Sequence, residues 1–165
     1  MNIIIRPIKE NEIPLLTDFL YEAIFLADTD QIPPRTIIQE PSLWRYINNF
    51  GKEKDDYCFI AQVDNYIVGA VWIRCIQGFG HLNDNIPELA MSIYPQYRNK
   101  GIGTVLMDVA EEIAATYADI VYIGVGLHSG DGSAQRMYVK RGYIPDGSGV
   151  WYQDKICEPY AECKN

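Results

Sequence analysis

Long apolar runs, histidines and paired cysteines are what this 165-residue chain has least of. No stretch approaches the roughly 20 apolar residues a membrane-crossing helix needs, so no membrane partner is expected. "MNIIIRPIKE" is too short and too soon charged for a secretory leader, which makes the cytoplasm the expected compartment. The four cysteines (Cys58, Cys75, Cys157, Cys163) form no C-x-x-C pair, and no disulfide framework is expected. Cys58 and Cys75 lie in strand-like runs and read as small buried hydrophobes. No cysteine has a neighbouring histidine to activate it, so a thiol nucleophile is unsupported. The two histidines, His81 and His128, stand far apart, and His81 with Asp84 is too sparse a set to hold a metal. Positive charge is also in deficit. With 14 Lys and Arg against 22 Asp and Glu, the net charge is −8, which argues against nucleic acid as a partner. The acidic balance either favours cationic acceptors such as amines or simply aids solubility.

What the chain does have is the length and apolar content of one domain, spanning 1–165, able to bury a core. "NIIIRP" reads as a first strand, followed by a helix over about 11 to 26 whose face carries Leu16, Phe19, Leu20 and Ile24. "SLWRYINNFG" reads as a short second helix stopped by Gly51. "YCFIAQV" and "YIVGAVWIRCI" flank "DN", the pattern of an antiparallel hairpin. "QGFGHLNDN" is a loop and "PELAMSI" the next strand. Ile102, Val105, Leu106, Val109, Ala110, Ile113 and Tyr117 repeat at helical spacing. One helix between "PELAMSI" and the buried strand "DIVYIGV" makes that strand pair parallel. "SAQRMYVKRG" is a short helix with Gly142 as its stop, and "GVWYQD" a last strand. The fold class is therefore α/β (α+β), a mixed sheet covered by helices.

The most informative stretch is "YPQYRNKGIGTVLM", at 94 to 107. A helix start carries unpartnered N–H groups and partial positive charge, which hold an anion well. Gly101 and Gly103 lack the Cβ atoms that would keep a ligand from that backbone, while Arg98 and Lys100 add charge at its rim. Two readings are open: a cradle for a phosphate or pyrophosphate, or an ordinary glycine-containing helix start. A Walker A loop is excluded by the missing lysine, and a dinucleotide fingerprint by Leu106 where a small residue belongs.

"YRNKGIG" resembles the R/Q-x-x-G-x-G/A acyl-CoA loop of the GNAT superfamily of N-acetyltransferases. The similarity continues in "NIIIRPIKENEIPLL", in "FIAQVDNYIVGAV" and in "AQRMYVKRGYIPDG", in the same order over nearly the whole chain. It implies a mostly antiparallel central sheet with one splayed parallel pair, helices on both faces, and acetyl-CoA as acyl donor. The pyrophosphate would lie on the amides of Arg98, Asn99, Lys100, Gly101, Ile102, Gly103 and Thr104. The pantetheine arm would run beside the end of the preceding strand, where an N–H among Met91, Ser92 and Ile93 could polarise the acetyl carbonyl.

The resemblance also distributes roles. Tyr138 matches a tyrosine beside the cofactor sulfur, either protonating the departing thiolate or merely packing there. Ala134 heads the same helix. Asp131 stands where the family often has asparagine; an ionised carboxylate only accepts, so the pantetheine contact is open and a helix cap is the alternative. Glu88 matches a position that supplies a general base in some members, or is a solvated strand-end glutamate; His81, Asp84 and His128 are further candidates. Phe25, Asp28, Asp30, Trp44, Tyr46, Trp151 and Tyr152 would line the acceptor pocket or form core and rim. The implied activity is transfer of an acetyl group from acetyl-CoA to a primary amine of a small molecule or protein by direct attack in a ternary complex. A non-catalytic acyl-CoA-binding module is the alternative. No metal is implied, and a homodimer is possible.

Overall fold

The structure, a computed structural model, describes residues 2–24, 32–77 and 85–163. Its frame is a five-stranded sheet in chain order: β1 (Ile3–Pro7), β2 (Tyr57–Val63), β3 (Tyr66–Arg74), β4 (Glu88–Ile93) and β5 (Tyr122–Ile123). The first three pairings are antiparallel, and β4 with β5 is parallel. Asp64 and Asn65 both take positive φ, 48° and 69°, between β2 and β3. Those are the conformations a tight two-residue hairpin turn requires, and the residue types that tolerate them. In β3, a Cβ on Gly69 would stand 3.0 Å from Ile93 Cγ1 and 3.1 Å from the Ser92 carbonyl, so glycine there lets β4 lie close.

Helix α1 (Leu16–Ala23) and the one-turn α2 (Pro41–Trp44) cover one face of the sheet; α3 (Ile102–Ala114) and α4 (Gly132–Lys140) cover the other. On α3, Ile102, Leu106, Ala110 and Ala114 recur every four residues and are buried with Met107 against Val71, Ile73 and Leu89. Across the sheet, Leu16, Phe19 and Leu20 pack with Ile47 and Phe50 on Ile60, Ala70 and Trp72. Each fully buried aliphatic or aromatic side chain here contributes about 1.5–3 kcal/mol.

Several elements are shorter than their periodicity predicts. The helix expected over 11 to 26 begins as a 3-10 segment, Glu10–Leu15, because Pro14 inside it has no N–H to donate. Its first turn is held by Glu12, which takes two hydrogen bonds from Arg6 (2.7 and 2.8 Å) and one from the Lys9 amide. Regular helix then ends at Ile24, whose ψ of 113° is extended. The second helix gives way after Trp44 to turns that end at Gly51 (φ 85°). The third leaves regular geometry at Ala115. The predicted strand at "DIVYIGV" pairs over two residues only. The last strand, β6 (Trp151–Tyr152), does not join the main sheet; it pairs with β7 (Lys155–Ile156) across Gln153 and Asp154, both at positive φ. The four cysteines are free thiols, with Cys157 Sγ and Cys163 Sγ 3.2 Å apart. Among the described residues no helix is long and apolar enough to cross a membrane.

Candidate active site

Strands β4 and β5 pair only at Glu88 with Tyr122 and Leu89 with Ile123, after which β4 runs on to Ile93 still paired with β3 but no longer with β5. The Tyr122 N–H donates to the Pro87 carbonyl at 3.1 Å, whereas the Tyr94 N–H donates to Val68 on β3 at 3.0 Å. Peptide groups alternate sides along a strand. Odd-numbered residues of β4 therefore aim theirs toward β5, and past Leu89 those of Met91 and Ile93 open into a gap. Ser92 turns its peptide to β3 instead, and its buried hydroxyl has no hydrogen-bond partner among the described residues. Side chains alternate as well. Leu89, Met91 and Ile93 face α3 and α4, while Ala90 and Tyr94 face α1.

At the far end of β4 the chain turns into α3. Asn99 (φ 58°) and Gly101 (φ 82°) are left-handed, and Gly101 is the N-cap residue, with no side-chain cap. The first helical acceptor is the Gly101 carbonyl, taken by Val105 N–H at 3.3 Å. The amides from Gly101 to Thr104 thus precede any intrahelical partner. A Cβ on Gly101 would meet nothing within 4 Å, whereas one on Gly103 would meet Ile93 Cδ1 at 3.4 Å, Met91 Cε at 3.5 Å and Met137 Sδ at 3.6 Å. The two glycines thus answer different constraints: Gly101 the backbone turn, Gly103 the approach of α3 to β4. Of the two basic residues, Arg98 is not a free rim charge. Its Nε donates to the Ile93 carbonyl at 2.8 Å, and its Nη2 reaches the Glu22 carbonyl at 3.3 Å. The ammonium of Lys100 lies 5.4 Å over the Tyr97 ring.

Glu88 is 3% exposed at the start of the gap. Its Oε1 accepts a 2.6 Å hydrogen bond from the Tyr46 hydroxyl, and its Oε2 has no hydrogen-bond partner among the described residues. Burial pushes its carboxyl up to about 7, against the downward pull of the Tyr46 and Tyr122 hydroxyls and of Arg45. The solvated strand-end reading of Glu88 is therefore incorrect. On the opposite face, Tyr138 of α4 is 8% exposed, with its ring centroid 5.7 Å from that of Tyr143. Burial, reinforced by the charge of Asp131, pushes its phenol up to about 12.

Asp131 occupies the N-cap position of α4 but makes no cap bond. Its Oδ2 accepts from the Gly126 N–H at 3.0 Å and lies 3.5 Å from His128 Nε2. The carboxylate thus closes the loop after β5, where a side chain at Gly126 would collide with it, and the capping alternative is not what the structure shows. Ala134 packs with Met137 on the α3-side core. Phe25, Asp28, Asp30, His81 and Asp84 lie outside the described residues. Trp44, Trp151 and Tyr152 are partly exposed, and Arg45 binds Asp154 of the β6–β7 turn at 2.8 Å. Tyr46 belongs to the buried set, bonded to Glu88; only its aromatic character was visible beforehand. A surface depression of about 370 Å3 lined by Gln135, Arg136, Val139 and Lys140 includes none of these groups. Among the described residues, no cluster of three or more His, Cys, Asp or Glu could hold a metal.

A model of the acetyltransferase (GNAT) family matches residues 22–143. Comparison with curated proteins finds no significant match. Three solved structures show the shared fold. PaiA N-acetyltransferase from Thermoplasma acidophilum in complex with coenzyme A superposes with TM-score 0.64 at 21% identity, over 92% of this chain and 96% of that one. A GNAT-family acetyltransferase from Streptococcus pneumoniae gives 0.61 at 22%, over 94% and 93%. Aminoglycoside 6'-N-acetyltransferase AAC(6')-Ih from Acinetobacter baumannii gives 0.59 at 17%, over 94% and 100%.

Proposed function

The chain belongs to the acetyltransferase (GNAT) family, and from that footing we propose that it is an acetyl-CoA-dependent N-acetyltransferase acting on a primary amine by direct attack in a ternary complex. The observation that carries this reading is Glu88, a buried carboxylate pushed up to about 7 where β4 and β5 separate. A base with that value is half ionised near neutral pH, suited to taking a proton from an ammonium and losing it again.

The residues divide the work by face. The amides from Gly101 to Thr104 hold the pyrophosphate, with Arg98 keeping the loop in shape. The peptide groups of Met91 and Ile93 that open into the gap bind the pantetheine arm, and one of their N–H groups stabilises charge on the acetyl oxygen. Glu88, on the α1 and α2 side, takes the amine proton. The freed lone pair forms the C–N bond as the C–S bond breaks. Tyr138, on the α3 and α4 side, donates its phenolic proton to the leaving sulfur and regains one, through solvent, from the second proton that the new amide nitrogen sheds. That phenol stays protonated throughout the working pH range, as a donor must. No chemical step needs a metal.

The likeness to an aminoglycoside 6'-N-acetyltransferase supports small cationic amines as the first acceptors to try. The test is thiol release from acetyl-CoA across a panel of such amines. Turnover on at least one, lost in Glu88→Gln, is the expected result. Acetyl-CoA that raises the melting temperature with no amine turned over would instead favour the non-catalytic acyl-CoA-binding module.

A further inference from the structure

Tyr46 and Glu88 are 42 residues apart in sequence and joined by a 2.6 Å hydrogen bond in the interior. We propose that Tyr46 is the positioning residue of this site: its hydroxyl holds Oε1 of Glu88, so that Oε2 is the oxygen that receives the acceptor's proton. This rests on Glu88 serving as the base.

The asymmetry of the carboxylate is the first support. A buried carboxylate with a purely architectural role satisfies both oxygens, because an unpaired buried acceptor is costly. Here one oxygen is engaged, and the other has no hydrogen-bond partner among the described residues. A working base needs that arrangement: one oxygen fixes the group and the other keeps a lone pair that no protein donor occupies.

The segment carrying Tyr46 is itself braced. Arg74, opposite Glu88 in the β3–β4 register, is buried and forms a two-pronged pair with buried Asp56 (2.7 and 3.2 Å). Its remaining Nη1 donates to the carbonyls of Arg45 (3.1 Å) and Asn48 (2.9 Å), which flank Tyr46. The guanidinium is thus spent on the turn that presents the tyrosine.

The groups around Glu88 also decide the sign of the effect. From β5 it faces Tyr122, whose hydroxyl donates to the Ile76 carbonyl at 3.3 Å. From the α2 side it faces Tyr46 and Arg45, and Arg45 is paired with Asp154. From β3 comes Arg74, paired with Asp56. A neutral donor on a carboxylate favours the ionised form. Removing the Tyr46 hydroxyl must move Glu88 ionisation to higher pH.

The experiment compares Tyr46→Phe with wild type. The ascending limb of kcat/KM should move alkaline by about 1 pH unit, with the KM for acetyl-CoA unchanged. A 13C-carboxyl NMR titration of glutamate-labelled protein should show the same shift in the Glu88 signal, identified by its loss in Glu88→Gln. Placing 3-fluorotyrosine, a stronger donor of nearly the same shape, at position 46 should move both readouts the opposite way. A Glu88 signal that titrates identically in all three forms overturns the proposal. If the kinetic limb instead survives in Glu88→Gln, it is the base assignment that fails, and the carboxyl titration still decides whether Tyr46 holds the group.

Discussion

Arg98 Nε donates to the carbonyl of Ile93 at 2.8 Å, tying the loop that precedes α3 back onto the last residue of β4. That bond occupies the Ile93 carbonyl, one of the peptide groups that face the gap, and ties the turn to the strand end. Arg98→Ala should raise the KM for acetyl-CoA about 10-fold, equivalent to one charged hydrogen bond of ~1.4 kcal/mol, with kcat less affected. Steady-state kinetics with varied acetyl-CoA checks this. An unchanged KM would mean the loop keeps its form without the arginine.

Gly101 and Gly103 should fail in different ways when replaced. Gly101→Ala puts a Cβ on a left-handed residue with open space beside it. The expected cost is about 1–2 kcal/mol of stability, together with weaker acetyl-CoA binding. Gly103→Val pushes a larger side chain against Ile93, Met91 and Met137, an overpacking cost of about 1–3 kcal/mol that also displaces the helix start. Thermal melts with and without acetyl-CoA separate the two. Gly103→Val melting as wild type would contradict the packing role.

Glu88 makes folding depend on pH with a definite sign. Its folded value of about 7 lies above the ordinary 4.5, so the native state holds the proton more tightly than the unfolded chain. The stabilisation this group contributes is complete below pH 4.5 and is lost as pH rises through 7, by up to about 3 kcal/mol. Glu88→Gln removes the titration. The melting temperature of this variant relative to wild type should therefore climb between pH 4.5 and 8. A difference that stays flat across that window would show Glu88 to be ionised at ordinary carboxylate pH.

Tyr138→Phe should slow the chemical step on the order of 10- to 1,000-fold and leave acetyl-CoA affinity close to wild type. Rapid-quench measurement of one turnover isolates that step from product release. Full single-turnover rate in the variant would leave the phenol only a packing role beside Tyr143.

The hairpin around Asp64 and Asn65 was readable because two alternating apolar runs meet at residues that tolerate positive φ. The apolar face of α3 was readable because Ile102, Leu106 and Ala110 recur at the helical period. Less visible were the lengths of α1 and of β5, since a proline and a diverging neighbour act through hydrogen bonds that no periodicity encodes. The loop at Gly101 was legible as an anion site in outline, yet Arg98 as its internal brace was not. A side chain's reach to a carbonyl five residues back depends on how the turn folds. Asp131 likewise had a helix-start position, but its hydrogen bond goes to Gly126.

By itself the sequence determined the order of the main-sheet strands and their covering helices and the glycine turn before α3, because periodicity and turn chemistry are local properties of consecutive residues. Only the tertiary structure decided the state of Glu88. Its burial, the hydroxyl of Tyr46 on one oxygen and the separation of β5 beside it come from segments remote in the chain, and proton affinity depends on all three at once.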